Sequence, residues 1–219
     1  MGKTKLGILD GFSGKVGPVV GMNWKGKQVL RSYIGYTRHV KTQKQKRSCK
    51  HFAVMNRLVS QFRGAASIGL RQYADRNSST VVGSFIQLNH NAVSVDTNLA
   101  VSIDYTQLKL SDGTLNDVVF GTPEFTEGCQ VHVPVLDPKG DGVLDSLNDH
   151  LIVVAYCPVF EASTYDNTAS RRSPEVALST PSIWVGQTVH LFAFVQGGEG
   201  FNLEQVSPTV YIGQGKLKR

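Results

Sequence analysis

Acidic residues are nearly missing from the first third of this 219-residue chain. Residues 1–72 contain one acid, Asp10, beside fifteen lysines and arginines, whereas residues 73–219 contain sixteen acids and eight lysines or arginines. The two parts therefore carry formal net charges of +14 and −8. Soluble domains normally mix charges of both signs. This bipolar distribution indicates an anionic partner or head-to-tail contact between subunits.

Long apolar runs are missing as well. No stretch reaches the roughly 18 apolar residues of a membrane-spanning helix, and the N-terminus lacks the apolar segment of about 7–15 residues that marks a signal peptide. The three cysteines, Cys49, Cys129 and Cys157, are odd in number and show no metal-binding spacing, which disfavours a disulfide framework. The sequence predicts a protein made in the cytoplasm, with no membrane partner.

Signatures of enzymes are also absent. The chain has no GxSxG, HExxH or paired-carboxylate motif, and the glycine-rich GKVGPVVG lacks the GK[ST] ending of a phosphate-binding loop. His132 and His190 fall in segments expected to be strands, where a histidine is more often part of a sheet than a catalyst. We predict no enzyme activity, no catalytic residues and no cofactor.

The acidic segment LDPKGDGVLDSLNDH resembles a calcium loop only in part. An EF-hand loop beginning at Asp137 would place Lys139 at its third position and Asn148 at its twelfth, where oxygen ligands and a bidentate glutamate are expected. We predict a solvated loop between two strands and no metal site. Weak calcium binding at Asp137–Asp149 is the alternative, through Asp137, Asp141, Asp145 and Asp149.

The N-terminal part combines β structure with helices. Residues 7–35 predict glycine-punctuated strands, with GPVVGMNW and KQVLRSYI paired around Lys25-Gly26. A first helix is predicted over 42–63, capped by Thr42, because apolar residues recur at three- and four-residue steps: Phe52, Met55, Leu58, Val59, Phe62 and Ala66. A second, shorter helix is predicted over about 80–92, with a strand as the alternative.

From about residue 98, short apolar segments alternate with turn residues. Seven or eight strands at this spacing predict an antiparallel β-sandwich. LIVVAY and LFAFV are apolar at odd and even positions alike, which predicts central strands. The candidate strands are LKL, DVVF, CQVHVPVL, HLIVVAYCPVF, PEVALST, QTVHLFAFV and PTVYIGQ, and the aromatic residues most simply read as core are Trp24, Trp184, Phe120, Phe160, Phe192 and Phe194.

The predicted fold is therefore mainly β with a small α/β N-terminal part. Residues 1–95 would form a basic region of a β-hairpin plus one or two helices. Residues 96–219 would form an acidic β-sandwich domain.

Several segments together resemble a known family. GILDGFSGKVGPVVGMNWKGKQVLRS, the TQKQKR segment before the FAVMNRLV helix, and the ending HLFAFVQGGEG…VSPTVYIG are similar to an uncharacterised group of Bacteroidota proteins of about this length, known only as a domain of unknown function. The resemblance implies a bacterial or bacteriophage origin, association with phages or mobile elements, and an Ig-like or fibronectin-III-like C-terminal sandwich. It implies no activity, cofactor or catalytic residues.

The acid-free segment from Gly14 to Lys50 is the candidate binding region. Its cations can neutralise phosphates, and Trp24, Tyr33, Tyr36 and His39 lie among them and can stack on bases. No base-reading motif occurs, so contact with nucleic acid would be independent of sequence. A face that matches a neighbouring subunit and a merely solvated surface are the alternatives. The predicted contact residues are Lys15, Lys25, Lys27, Arg31, Arg38, Lys41, Lys44, Lys46, Arg47 and Lys50.

These features predict a non-enzymatic structural protein. It would be a virion or mobile-element component that assembles through its β-sandwich with itself or other structural proteins, while its basic region contacts nucleic acid or neighbouring subunits. A non-specific nucleic-acid-binding accessory protein is the first alternative. An Ig-like adhesion or interaction module is the second, and the missing signal peptide disfavours it. The fold does not choose among these functions. The protein would be cytoplasmic when synthesised and located in the virion after assembly.

Overall fold

The computed structural model describes residues 3–4, 12–35, 40–139, 146–198 and 204–218. Contacts divide the chain into two compact units, Met1–Thr42 and Gln43–Arg219. Antiparallel sheets dominate the described residues, and the helices follow the first unit in sequence, which confirms the predicted mainly β chain with a small helical part. The division falls at Thr42 and not near residue 95, because the helices pack on a sheet of the second unit.

In the first unit, the residues that the structure describes form one sheet of four sequentially paired antiparallel strands. Trp24 pairs with Lys27, so the hairpin between the last two strands has a two-residue turn at Lys25-Gly26. Both turn residues have positive φ, +49° and +78°, as a type I′ turn requires. The predicted hairpin is confirmed. The strands are β1 Lys3–Thr4, β2 Phe12–Val16, β3 Val19–Trp24 and β4 Lys27–Ser32.

This sheet buries little of its own surface. Among residues 12–35, Gly21 is the one residue that is classed as buried. Trp24 is 57% exposed, so its predicted place in a core is wrong. Small sheets gain independent stability when one face is covered by apolar packing. The first unit therefore presents apolar side chains that a covering surface would stabilise: Val16, Met22, Val29, Leu30, Tyr33 and Ile34.

Four helices open the second unit: α1 Gln43–Gln61, α2 Arg63–Gly69, α3 Arg71–Arg76 and α4 Val81–Leu88. The first predicted helix is confirmed as α1, and its apolar stripe is buried except for Phe52, which is 57% exposed. α4 confirms the second predicted helix. The Thr80 hydroxyl caps it, as it accepts a hydrogen bond from the Gly83 N–H at 3.1 Å. α2 and α3 were not predicted.

The described residues of the second unit form three groups of strands. β5 Val93–Val95 pairs with β6 Val101–Ile103. The remaining strands are β7 Val119–Phe120, β8 Glu124–Thr126, β9 Gln130–Asp137, β10 His150–Cys157, β11 Ala162–Asp166, β12 Glu175–Ser179, β13 Thr188–Gln196 and β14 Val210–Lys216. A four-stranded sheet has the order β11-β10-β13-β14, and a second sheet has the order β12-β9-β7, with β8 also pairing with β9.

Most predicted strands of this region are present. LKL is not a strand, although Leu108 and Leu110 are buried, and β11 was not among the candidate strands. The predicted core position of Phe160 is wrong, because its side chain is 41% exposed. Trp184 lies between the two sheets as predicted.

β10 and β13 are central and buried on both faces, as predicted. Ile152 and Phe192 point to a core shared with α1, α2 and α4. Val153 and Leu191 point to a second core, which lies between the two sheets and includes Trp184. The second unit is therefore a three-layer arrangement of helices, sheet and sheet, with the strands alternating between two separate cores.

The acidic loop joins β9 to β10, which confirms that it links two strands; Asp141 and Asp145 lie outside the described residues. Asp149 and Arg171 are both fully buried, and the Nε of Arg171 lies 3.1 Å from Oδ2 of Asp149. Arg171 also donates from Nη2 to the Asn116 carbonyl at 2.7 Å and from Nη1 to the Lys139 carbonyl at 3.2 Å. This buried ion pair fixes the end of the acidic loop.

Candidate nucleic-acid interface

The predicted contact residues are distributed over both units. Arg38 lies outside the described residues, as do Tyr36 and His39. Lys15, Lys25, Lys27, Arg31 and Lys41 belong to the first unit, whereas Lys44, Lys46, Arg47 and Lys50 lie on the first turns of α1. All nine described cations are exposed. The chain has no acid between Asp10 and Asp75, so no carboxylate within this stretch opposes them.

One face of the β2–β3–β4 sheet combines cations with exposed aromatic and apolar side chains. Directly opposed residues of antiparallel strands share a face, and the register opposes Lys15 and Arg31 to Val20, Val29 to Met22, and Lys27 to Trp24. We call this surface the hairpin face; it consists of Lys15, Val20, Met22, Trp24, Lys27, Val29 and Arg31, together with Tyr33, whose ring contacts Lys15.

Cation–π contacts organise the hairpin face. The Lys15 ammonium lies 3.4 Å from the centre of the Tyr33 ring, and the ammonium of Lys25, in the turn beside the face, lies 5.7 Å from the centre of the Trp24 ring. A cation over an aromatic face is attracted by the ring quadrupole. The face therefore places positive charge and flat rings side by side, which is the combination that single-stranded and unpaired nucleic acid contacts.

A groove of about 770 Å³ lies beside α1 in the second unit. Lys44, Arg47 and Phe52 line it from α1, and Ile86 lines it from α4. We call it the α1 groove; the other lining residues are Ser48, His51, His90, Asn91, Val93, Ser94 and Val95. None of the described residues that line it is acidic.

Two side chains of the α1 groove are held by backbone carbonyls. Arg47 donates from Nε and Nη2 to the Val95 carbonyl, at 3.1 and 2.8 Å. The Nε2 of His51 lies 3.0 Å from the Val93 carbonyl and 3.1 Å from the His90 carbonyl, so Nε2 carries the proton. The His51 and His90 rings meet edge to face, with centroids 4.6 Å apart. The cationic side of the groove is therefore held in one geometry.

A smaller cavity of about 230 Å³ lies beside the later turns of α1 and includes Lys50 and Arg57 in its lining. Its charge is partly neutralised, because Arg57 Nη1 lies 3.0 Å from the Glu161 carboxylate, which also lines the cavity. The α1 groove is the better anion site of the two.

A cluster of rings surrounds His190, which lies in β13 as predicted. The His190 Nδ1 lies 2.9 Å from the Tyr211 hydroxyl, and the His190 ring stacks on Tyr105 with centroids 4.1 Å apart. Burial lowers the pKa of His190 and raises the pKa of Tyr105, Tyr156 and Tyr211. These groups are uncharged at neutral pH, and their hydrogen bonds and ring contacts join β13 to β14 and to the turn at Tyr105.

His132 has a partner as well, since its Nδ1 lies 3.6 Å from the Glu175 carboxylate on the neighbouring strand β12. Within the described parts of the chain, no three histidine, cysteine, aspartate or glutamate side chains lie close enough together to hold a metal ion. In those same parts, no helix is long and apolar enough to cross a membrane.

Sequence reasoning missed Phe52, His51 and His90 as parts of a site. The sequence places residues 86–95 far from α1, so the groove exists only after the chain has folded. The one available signal was an aromatic residue among the cations of the first helix, and the apolar periodicity assigned that residue to the core.

A family model matches residues 11–213 of the chain, which include most of both units. The chain belongs to the family of unknown function DUF6266. This agrees with the resemblance to a domain of unknown function, and it assigns no activity. The search of curated proteins finds no match.

Proposed function

We propose that this DUF6266 protein is a non-enzymatic structural protein whose basic N-terminal region contacts nucleic acid without reading its sequence. The hairpin face carries the proposal, because Lys15, Lys27 and Arg31 stand beside the exposed rings of Trp24 and Tyr33. Cations neutralise phosphates, and aromatic rings stack on any base. The acid-free stretch of the sequence also contains the cations of α1, which belong to the second unit.

Assembly with copies of itself or with other structural proteins is the second part of the proposal. The exposed apolar side chains of the first unit support it, since a covering surface would stabilise a small open sheet. The acidic residues 73–219, with a net charge of −8, complement the basic region of a neighbouring copy. Such a protein would serve as a virion or mobile-element component. Its association with phages and with Bacteroidota belongs to this proposal.

The two packed antiparallel sheets are compatible with an Ig-like or fibronectin-III-like sandwich, and we retain that relationship as a proposal. A non-specific accessory protein that binds nucleic acid without assembling is the second candidate. The nine exposed cations favour it as strongly as the first. Only the oligomeric state separates the two candidates.

Light scattering of the purified full chain at about 50 mM and about 500 mM salt, with and without a short DNA, tests the proposal. We expect a discrete oligomer at both salt concentrations that also binds the DNA at low salt. A monomer that binds DNA at low salt and releases it at high salt would support the accessory protein. A monomer that binds no DNA at either concentration would overturn both candidates.

Charge-removing variants test the hairpin face directly. The double substitution Lys27→Gln/Arg31→Gln should weaken DNA binding and reduce the slope of log affinity against log salt by about two, because two phosphate contacts are lost. Lys109→Gln/Lys216→Gln is the matched control, since it removes two exposed cations of the second unit that lie outside the basic segment. If both variants showed the same slope of log affinity against log salt, the hairpin face would be excluded as the DNA-binding surface.

A further inference from the structure

We propose that the α1 groove holds one unpaired nucleotide of a single-stranded nucleic acid, with its base against Phe52 and its phosphate against Lys44 and Arg47. The inference rests on the proposed function, because it names the form of nucleic acid that the basic region holds. It concerns a different surface from the hairpin face, so the two can be tested separately.

The apolar side of the groove suits a base. Phe52 is 57% exposed although it lies on a helix whose other exposed residues are mostly polar or basic. Ile86 lines the same groove and is half-buried. An aromatic ring that is held on a helix and left accessible offers a face on which a base can stack, whatever its identity. A volume of about 770 Å³ is ample for a nucleotide.

The cationic part of the groove lining suits a phosphate. Arg47 donates two N–H groups to the Val95 carbonyl, and the remaining N–H groups of its guanidinium have no partner among the described residues. Its guanidinium is therefore fixed before any ligand arrives, which reduces the entropy lost on binding. Lys44 lies one helical turn before Arg47 and lines the same groove, so two cations share a lining to which no described residue contributes a carboxylate.

The nearest acid in sequence is Asp96, immediately after β5. It does not belong to the groove lining, and its Oδ1 accepts from the backbone N–H groups of Asn98 and Ala100, at 2.8 and 2.7 Å. This carboxylate is thereby engaged within its own turn. His51, held by the carbonyls of Val93 and His90, offers its Nδ1 as a polar contact for a base or a sugar hydroxyl.

The geometry favours a single strand over a duplex. A duplex hides the faces of its bases in the stack, so a side chain in a groove can meet a base face only when that base is unpaired. A duplex would reach Lys44 and Arg47 through phosphates alone and would gain nothing from Phe52. An acidic peptide would behave in the same way as a duplex.

Fluorescence anisotropy of the full chain measures this preference. The probes are a labelled oligothymidylate of about 12 nucleotides and a labelled duplex of the same length at about 50 mM salt, with polyglutamate as competitor. We expect tighter binding of the single strand than of the duplex. Phe52→Ala should weaken single-strand binding about fivefold or more and leave duplex binding within about twofold, because one stacked base is lost.

Matched variants separate stacking from charge and from damage to the fold. Phe160→Ala removes another exposed aromatic ring outside the groove and should change neither affinity. Phe52→Trp should retain single-strand binding, because it keeps a stacking face. Lys44→Gln should weaken the binding of both probes. The melting temperature of Phe52→Ala should equal that of the wild type, since the side chain that this substitution removes is largely exposed.

Each failure has its own signature. Wild-type protein that binds neither probe would overturn the proposed function and this inference together. The wild type could instead bind both probes with equal affinity, and Phe52→Ala could change neither affinity. That result would leave nucleic-acid binding intact and overturn the proposal that the α1 groove holds an unpaired nucleotide. Lys44→Gln could weaken probe binding while Phe52→Ala does not, and polyglutamate could displace the probes. That result would identify a site for anions of any kind and would also overturn the proposal.

Discussion

Two buried charged residues, Asp149 and Arg171, connect the acidic loop to the body of the second unit. A buried ion pair contributes little net stability compared with apolar packing, because both charges lose their hydration. Removing one partner is costly, since the other charge then stays buried without compensation. Here both side chains are fully buried, and Arg171 also satisfies the carbonyls of Asn116 and Lys139. The sequence gives no sign of this pair.

Arg171→Met should therefore lower the free energy of unfolding by about 3–5 kcal/mol. Arg172→Met is the matched control, because Arg172 is the adjacent residue and is exposed. Its effect should stay within about 0.5 kcal/mol. Urea titration followed by circular dichroism measures both. Equal effects would mean that the buried pair is not decisive for stability.

His190 makes stability depend on pH. Burial lowers the pKa of His190 below its ordinary value of 6.5. The unfolded chain therefore takes up a proton before the folded chain does, so the stabilising contribution is present above pH 6.5 and is lost as pH falls below it. Tyr105 and Tyr211, which contact the ring, stay uncharged over this range because burial raises their pKa.

Melting temperatures measured between about pH 7.5 and pH 5 should consequently fall less steeply for His190→Gln than for the wild type. His150→Gln, which replaces an exposed histidine by the same residue, is the matched control variant. A His190→Gln slope that matches the wild type would show that this histidine titrates normally in the folded protein.

At the scale of elements, α1 combines good packing with an unfavourable charge distribution. Its first turn contains no acid, and the cations Lys44, Lys46 and Arg47 lie near the N-terminus, where the helix dipole disfavours positive charge. Local departures from such rules are typical of binding surfaces. The cost of each misplaced charge is small, so function can retain it.

Lys44→Glu should thus stabilise the protein by about 0.3–1 kcal/mol while weakening its binding to single-stranded DNA. Lys109→Glu reverses the same charge outside any helix and should not stabilise the fold in this way. Urea titration and anisotropy on the same samples measure both quantities. A loss of stability and affinity together would indicate structural damage instead of a removed binding contact.

The sequence predicted elements with strong patterns and missed those without them. β10 and β13 were evident because residues such as Ile152 and Phe192 are apolar on both faces. The α2 sequence RGAASIG relies on small residues for its buried face, and the β11 sequence ASTYD is polar enough to resemble a turn. The basic segment was predictable from composition. The α1 groove was not, because it depends on how residues 86–95 pack against α1.

For the whole molecule, the position of the boundary between units has a direct experimental meaning. Both apolar cores lie within Gln43–Arg219. The helices cover one face of β10 and β13, so a sandwich without them would expose Ile152, Val154, Phe192 and Phe194 to water. The second unit should therefore be independent of the first unit but not of the helices.

A chain that lacks residues 1–42 should unfold cooperatively, with a melting temperature within a few degrees of the full chain, while its DNA binding and its assembly are weakened. A chain that consists of residues 96–219 is the contrasting variant. It should fail to fold or should aggregate, because the apolar face of its central sheet is uncovered. Calorimetry and light scattering measure both outcomes. A stable, monomeric 96–219 fragment would place the boundary near residue 95 after all.

The layering also sets an order of events during synthesis. The four helices are complete at Leu88, but the strands they cover, β10 and β13, end at Cys157 and Gln196. At roughly 5–20 residues per second, translation leaves the helices without their partner surface for on the order of ten seconds. Met55, Phe62 and Phe85 are fully buried only after these distant strands have been synthesised and have paired. Such long-range pairing slows folding, so the nascent chain passes through a period in which its most apolar helical faces are open to chaperones and to aggregation.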